Sequence, residues 1–198
     1  MHIYFTEQSF ETPEFLEKLD NGLLVLNASN NNVLHLVSKI AHVKNILEND
    51  PSHIHCRNSD TETPAYVAAR EGRVDILRFM IDFVKRMNED VESIITRIKD
   101  NHNALHIAIQ NHHIEVIFLL IEEIPQLANR MNEFKESPLY LAAERGYFGV
   151  VELILKKCKE ISFEGRNGKS ALHAAVISDS GGEEYILSVG IISRKQVK

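Results

Sequence analysis

The sequence predicts an all-α solenoid of about five helix-pair repeats, with an N-terminal capping segment and an irregular C-terminal end. Three observations predict it. The stretch Ser137-Pro138-Leu139-Tyr140-Leu141-Ala142-Ala143-Glu144-Arg145-Gly146 recurs nearly residue for residue as Thr63-Pro64-Ala65-Tyr66-Val67-Ala68-Ala69-Arg70-Glu71-Gly72. Looser copies open at Asn32-Val33-Leu34-His35, Asn103-Ala104-Leu105-His106 and Ser170-Ala171-Leu172-His173. The second residues of the five openings, Val33, Pro64, Ala104, Pro138 and Ala171, are 31, 40, 34 and 33 residues apart, the spacing of stacked helix pairs.

Each element has a local reason. Residues 1–30 do not match the repeat, but Thr12-Pro13-Glu14 starts a helix whose stripe of Phe15, Leu16 and Leu19 ends at Gly22. This segment is read as a cap over the open apolar end of the stack. In the first repeat Val37 and Ser38 take the small positions, and Val43, Ile46 and Leu47 form the core stripe of the second helix. That repeat is short, so its first helix or turn is cut down. In the second and fourth repeats a Thr or Ser hydroxyl caps the helix, Pro fits its first position, and the alanine pair lets a neighbouring helix lie close. Gly72 and Gly146 end those helices, and in the third repeat His112 stands at the glycine position. The 40-residue interval carries an insertion. Asn88-Glu89-Asp90 breaks the chain there, and Val91, Ile94, Ile95 and Ile98 recur at helical spacing, which predicts a short extra helix. In the fourth repeat Val150, Val151, Leu153, Ile154 and Leu155 form a second helix with a wide apolar face. After Ala175 the glycine expected near position 179 is Asp179. The domain expectation is therefore a cap over 1–30, repeats over 31–177 and a poorly ordered tail over 178–198 that leaves the array uncapped and weakly self-associating.

These openings resemble the ankyrin family's Thr-Pro-Leu-His-x-Ala-Ala signature across residues 31–177, most faithfully at 63–77 and 137–155. Three phrases narrow the resemblance: Glu136-Ser137-Pro138-Leu139-Tyr140-Leu141-Ala142-Ala143-Glu144-Arg145-Gly146-Tyr147, Ile46-Leu47-Glu48 running into Asp50-Pro51-Ser52, and Gly168-Lys169-Ser170-Ala171-Leu172-His173-Ala174-Ala175. They are similar to plant ankyrin proteins of the accelerated-cell-death type. The resemblance implies a noncatalytic protein-interaction module in salicylic-acid-linked defence or cell death. Relatives of that type carry a C-terminal PGG domain with membrane helices and sit largely at the plasma membrane, whereas this sequence stops before such a domain. Two readings stay open: a free interaction module, or the cytosolic ankyrin portion of a membrane signalling protein or a truncated product that pairs with full-length relatives.

Composition narrows the function classes. A 198-residue chain with 44% hydrophobic and 25% charged residues is long and apolar enough for a sizeable core. A net charge of -6 argues against a nucleic-acid surface. Lys156, Lys157 and Lys159 sit where they complement a helix dipole. No segment approaches the ~20 apolar residues that span a bilayer. The longest apolar run, Val116 to Ile121, follows directly on Glu115. Glu7 and Glu11 stand where a secretory signal would be basic, so the chain is expected in the cytosol, or at the cytosolic face of the plasma membrane by the family resemblance.

The 10 histidines include His53 and His55 beside Cys56, the pair His102/His106 and the pair His112/His113. His35, His106 and His173 share one repeat position, with Tyr66 and Tyr140 in the other two. By the family resemblance that imidazole hydrogen-bonds backbone between repeats. His53, His55 and Cys56 have no second pair at finger spacing, so neither a metal nor a cofactor is expected. Cys56 and Cys158 read as buried thiols of a reducing compartment, with a redox role for Cys158 the alternative because of its basic neighbours. No motif for acyl or phosphoryl transfer occurs, and no enzyme is expected.

Binding to other proteins is expected along the concave side, on the two residues between the small pair and the glycine: Arg70/Glu71, Gln110/Asn111 and Glu144/Arg145. Two of these pairs carry one charge of each sign, which suits a mixed polar partner surface; the alternative reading is that all six are simply solvated helix residues. Arg57, Asn58, Asn101 and Lys135 add candidates at the linker tips.

Overall fold

The computed structural model describes residues 31–36 and 40–178. The expected N-terminal cap, Val37 and Ser38, and the tail from Asp179 lie outside the described residues. The chain divides into two compact units, Met1–Lys99 and Asp100–Lys198.

In the first unit α1 (Val33–Leu36) and α2 (Ile40–Asn49) form the first repeat, and α3 (Pro64–Arg70) and α4 (Val74–Arg86) the second. First helix packs on first helix, α1 on α3, and second on second, α2 on α4. A 3-10 turn, Pro51–His55, links the repeats, and Asp50 caps it through Ser52 N at 3.0 Å. Thr63 caps α3 by accepting from Tyr66 N at 3.1 Å, and Pro64 to Ala69 are all buried. The insertion forms α5 (Glu92–Ile95), as its periodicity predicts, and Ile94 and Ile95 are fully buried. Ile98 departs from the expectation. Thr96 leaves the helix in an extended conformation, so Ile98 falls beyond α5 and is 66% exposed.

In the second unit α6 (Ala104–Gln110) and α7 (Ile114–Glu123), then α8 (Pro138–Glu144) and α9 (Phe148–Lys157), then α10 (Ala171–Ser178), repeat the arrangement. Helix α8 packs between α6 and α10, and α7 packs on α9. Asn103 closes a capping box with His106, and Ser137 accepts from Tyr140 N at 3.1 Å. The alanine pair does what its size suggests, since Ala142 and Ala143 are fully buried where α8 meets its neighbours. A larger side chain there has no room, so Ala142→Leu is expected to cost about 1–3 kcal/mol by overpacking, read as a lower denaturant midpoint. An unchanged midpoint would show that these helices do not pack through the alanines.

The helix stops are conformational. Gly72, His112 and Gly146 all sit in the left-handed region at φ 72°, 58° and 69°, so His112 takes the glycine's backbone shape despite its side chain. Leu153, expected in the α9 core stripe, is only half-buried, whereas Val150, Val151, Ile154 and Leu155 are buried.

Candidate functional site

The connecting turns are built by one device used twice. Asn58 Oδ1 accepts from the backbone of Asp60 and Glu62, and Asn132 Oδ1 accepts from Phe134 and Glu136, at 2.9–3.0 Å. Thr61 and Lys135 then take left-handed conformations (φ 63° and 59°), which reverse the chain. Each turn ends on a buried carboxylate: Glu62 is 2% exposed and Glu136 3%. A buried charge needs a partner. Arg70 reaches Glu62 at 2.5 Å and Arg97 stands 3.7 Å away; Arg166 donates through Nε to Glu136 at 2.5 Å and pairs with it again through Nη2. Asn58 and Asn132 donate their side-chain amides to the same carboxylates. Bonding to Glu136 raises the Arg166 guanidinium pKa further above its usual value.

The shared histidine position is a strut between repeats. His35 Nε2 lies 2.9 Å from the Glu62 carbonyl, which can only accept, so Nε2 carries the proton and donates to it, while Nδ1 accepts from Asn32 N at 3.1 Å. His106 repeats this with Asn103 N at 3.3 Å and the Glu136 carbonyl at 3.0 Å. Burial lowers the His35 pKa, and burial together with the neighbouring His102 takes His106 down to about 3. Both rings are therefore neutral struts. His173 accepts from Ser170 N at 3.1 Å but is exposed. Where tyrosine takes the position, the Tyr140 hydroxyl donates to Glu144 at 3.1 Å, and the Arg97 guanidinium lies 5.7 Å from the Tyr66 ring centre.

The expected binding residues divide by environment. Arg70 turns inward to Glu62 and sideways to Glu71 at 3.1 Å, leaving Glu71 exposed. Gln110 is half-buried and Asn111 exposed. Glu144 and Arg145 are exposed, with Glu144 3.9 Å from Arg166. Among the tip residues, Arg57 donates to the carbonyls of Thr61, Ser93 and Thr96, tying the insertion to the turn, and Asn58 is buried in the turn itself. Asn101 and Lys135 are exposed, and Asn101 donates to the Met131 carbonyl at 2.9 Å. Sequence reading missed Phe134. It lies at the crest of the Asn132–Glu136 turn and is 63% exposed, an apolar side chain on a turn whose polar groups bond internally.

Cys158 is buried, and burial raises its thiol pKa, which opposes the thiolate a redox role requires. Cys56 corrects the sequence reading: it is half-exposed, because it follows the last residue of the short 3-10 turn rather than facing the core. His55 pairs with Glu89 at 2.7 Å and His53 with Asp50 at 3.2 Å, and among the described residues no group of three or more His, Cys, Asp or Glu is arranged to hold a metal ion. No helix among the described residues is long and apolar enough to cross a membrane.

Stacked helix pairs joined by rigid, internally bonded turns that leave a fringe of exposed side chains define a repeat-built binding scaffold. The family model for ankyrin repeats (3 copies) matches residues 21–132 and 119–191, and the chain belongs to the ankyrin-repeat family. It is 32% identical over 111 residues to the chicken (Gallus gallus) nuclear factor NF-kappa-B p105 subunit, covering 52% of this chain and 11% of that protein. Over 137 residues it is 23% identical to the target of rapamycin complex 2 subunit AVO2 of Saccharomyces cerevisiae, covering 68% of this chain and 30% of the relative. A third similarity, 29% over 99 residues, is to leucine-rich repeat serine/threonine-protein kinase 1 of Caenorhabditis elegans, covering 50% of this chain and 4% of the kinase. The chain thus spans less than a third of the length of each of these relatives. Ankyrin repeats are protein–protein interaction modules, and that general role is this chain's; the family is generally noncatalytic.

Proposed function

We propose that the chain holds a partner protein against the exposed ends of its first helices and the crests of its turns, through Glu71, Gln110, Asn111, Glu144 and Arg145 together with Phe134, with Arg70 supporting the surface from its ion pair. The exposed Phe134 carries this reading. An aromatic side chain on a preorganised turn loses little conformational entropy on docking and supplies the apolar anchor around which charged residues set specificity. The paired opposite charges at Glu144 and Arg145 favour a partner of mixed polarity. The similarity of residues 136–147 and 168–175 to plant accelerated-cell-death proteins supports a cytosolic role in plant defence signalling. A second reading, drawn from the same similarity, pairs the chain with full-length, membrane-anchored relatives at the cytosolic face of the plasma membrane.

Affinity capture with partner identification tests the surface. Phe134→Ala and the double reversal Glu144→Lys/Arg145→Glu are each expected to weaken the captured complex by about tenfold or more at an unchanged thermal midpoint. Capture unaffected by both variants would remove this surface from the function. Recovery of the chain wholly in the soluble fraction, with membrane-anchored relatives co-expressed, would count against the second reading.

A further inference from the structure

A second surface lies on the opposite helices of the Asp100–Lys198 unit. Between α7 and α9 runs a groove of about 390 Å³ walled by Ile114, Phe118, Tyr147, Phe148, Gly149 and Leu153. Aligning the second helices of three repeats on their first residues, Val74, Ile114 and Phe148, shows what is unusual in it. At the position where Arg78 and Glu152 face outward, α7 carries Phe118, which is 47% exposed. Where Asp75 and Glu115 place an acid in the first helical turn, favourable to the helix dipole, α9 has Gly149. Helical glycine is unfavourable relative to nearly every other residue, and packing does not require it here, because a Cβ at Gly149 would meet nothing within 4 Å. His112 forms one end of the groove. It holds φ 58° where two other repeats use glycine, and its ring lies on Tyr147 with centroids 4.1 Å apart. Three departures from the repeat, each unfavourable by itself, therefore converge on one apolar cleft.

Charge indicates what would fill it. Glu115 and Glu122 lie three residues before and four after Phe118, on the same helix face, and both are exposed. On the facing wall Lys156 is neutralised by Glu152, and Lys157 stands in the last turn beyond Leu153. The α7 rim is therefore acidic. In the Met1–Lys99 unit the aromatic residues of the second helices are covered from within: Lys44 and Arg86 lie 5.6 and 5.8 Å from the Phe79 ring centre, and Arg86 lies 5.7 Å from that of Phe83.

We propose that the α7–α9 groove docks a segment of a partner protein that inserts one apolar side chain of leucine or phenylalanine size between Phe118 and Gly149 and presents Lys or Arg to Glu115 and Glu122. Subtractive selection of a random peptide library tests this, with binding to the full chain retained and binding to Gly149→Leu discarded. The filled variant should fold at least as well as the parent, because leucine is the better helix former and the space is open. The retained peptides are expected to share an apolar residue beside Lys or Arg. A peptide synthesised from that set should lose about tenfold or more in affinity on Gly149→Leu and on Phe118→Ala, lose part of it on Glu122→Lys, and be indifferent to Phe134→Ala. Retained peptides with no shared pattern, a shared pattern without basic residues, or affinity unchanged on Gly149→Leu would each overturn the proposal. So would a concentration-dependent mass of the parent chain that Gly149→Leu abolishes, since the occupant would then be a second copy.

Discussion

Gly165→Ala is expected to lower the stability of the Asp100–Lys198 unit by about 3 kcal/mol or more, at the upper end of what overpacking costs. Backbone conformation is not the reason, since Gly165 has an extended φ of -142° that any residue adopts. The reason is space. Gly165 is buried, its N–H donates to the Lys169 carbonyl at 2.9 Å, and a Cβ there would be driven into the ring carbons of Tyr140, itself only 2% exposed. Neither side can yield easily, because Tyr140 is fixed in α8 and the strand-like turn at Gly165 is pinned by Ser137 N donating to the Glu164 carbonyl at 3.0 Å. A compensating change follows from the other repeats. Where the strut is histidine, at His35 and His106, the turn residue at the Gly165 position is the buried Asn58 or Asn132, whereas after Tyr66 it is Ile98, which is 66% exposed; a buried turn residue larger than glycine thus goes with the shorter ring. Tyr140→His combined with Gly165→Ala should therefore regain part of the loss in a double-mutant cycle measured by urea unfolding. A single Gly165→Ala variant as stable as the parent would mean that the ring and the turn do not meet.

Acid should destabilise the chain through its histidine struts. The His106 pKa is about 3 in the fold, against about 6.5 for an unstructured histidine. Between those values the unfolded chain binds a proton that the folded ring refuses. The strut's contribution is thus complete above about pH 6.5 and is lost as pH falls towards 3, at about 1.4 kcal/mol for each pH unit. His35 acts in the same direction in the first unit, since burial lowers its pKa as well. Carboxylate titration overlaps this window, so the comparison needed is between the parent and His106→Gln, in which carboxylates are unchanged and an amide can still donate to the Glu136 carbonyl. Urea midpoints measured from pH 7 to pH 4 should fall more steeply for the parent. Parallel slopes would show that His106 is not held neutral.

Some of this was legible because the interactions concerned are local. Thr63, Ser137 and Asn103 cap their helices through bonds three residues away, the alanine pairs sit one helical face from their own openings, and the break at Asn88 announces itself through its neighbours. A linear reading captures such terms, and repetition of the same local pattern five times fixed the repeat and its family. The insertion helix was legible through Ile94 and Ile95, but its end was not, because periodicity carried Ile98 into a helix that Thr96 had already left.

The binding fringe and the cleft belong to the other category. Arg70, a plausible contact residue by position, is turned inward by Glu62, while Arg166 serves Glu136 from 30 residues away. Nothing adjacent to a buried glutamate in sequence says that it is buried, and charge count alone cannot tell a paired arginine from one that faces a partner. Phe134 and Phe118 read as ordinary apolar residues until the turn and the outer helix face are placed in space. Sequence by itself determined the all-α ankyrin architecture, the caps and stops of its helices and the shared strut position, since each is set by residues within a turn or two of one another. The tertiary structure alone decided which charges are neutralised inside, which aromatic side chains remain outside and why Gly165 must be glycine, since each of these depends on side chains that only the packing of one repeat on the next brings into contact.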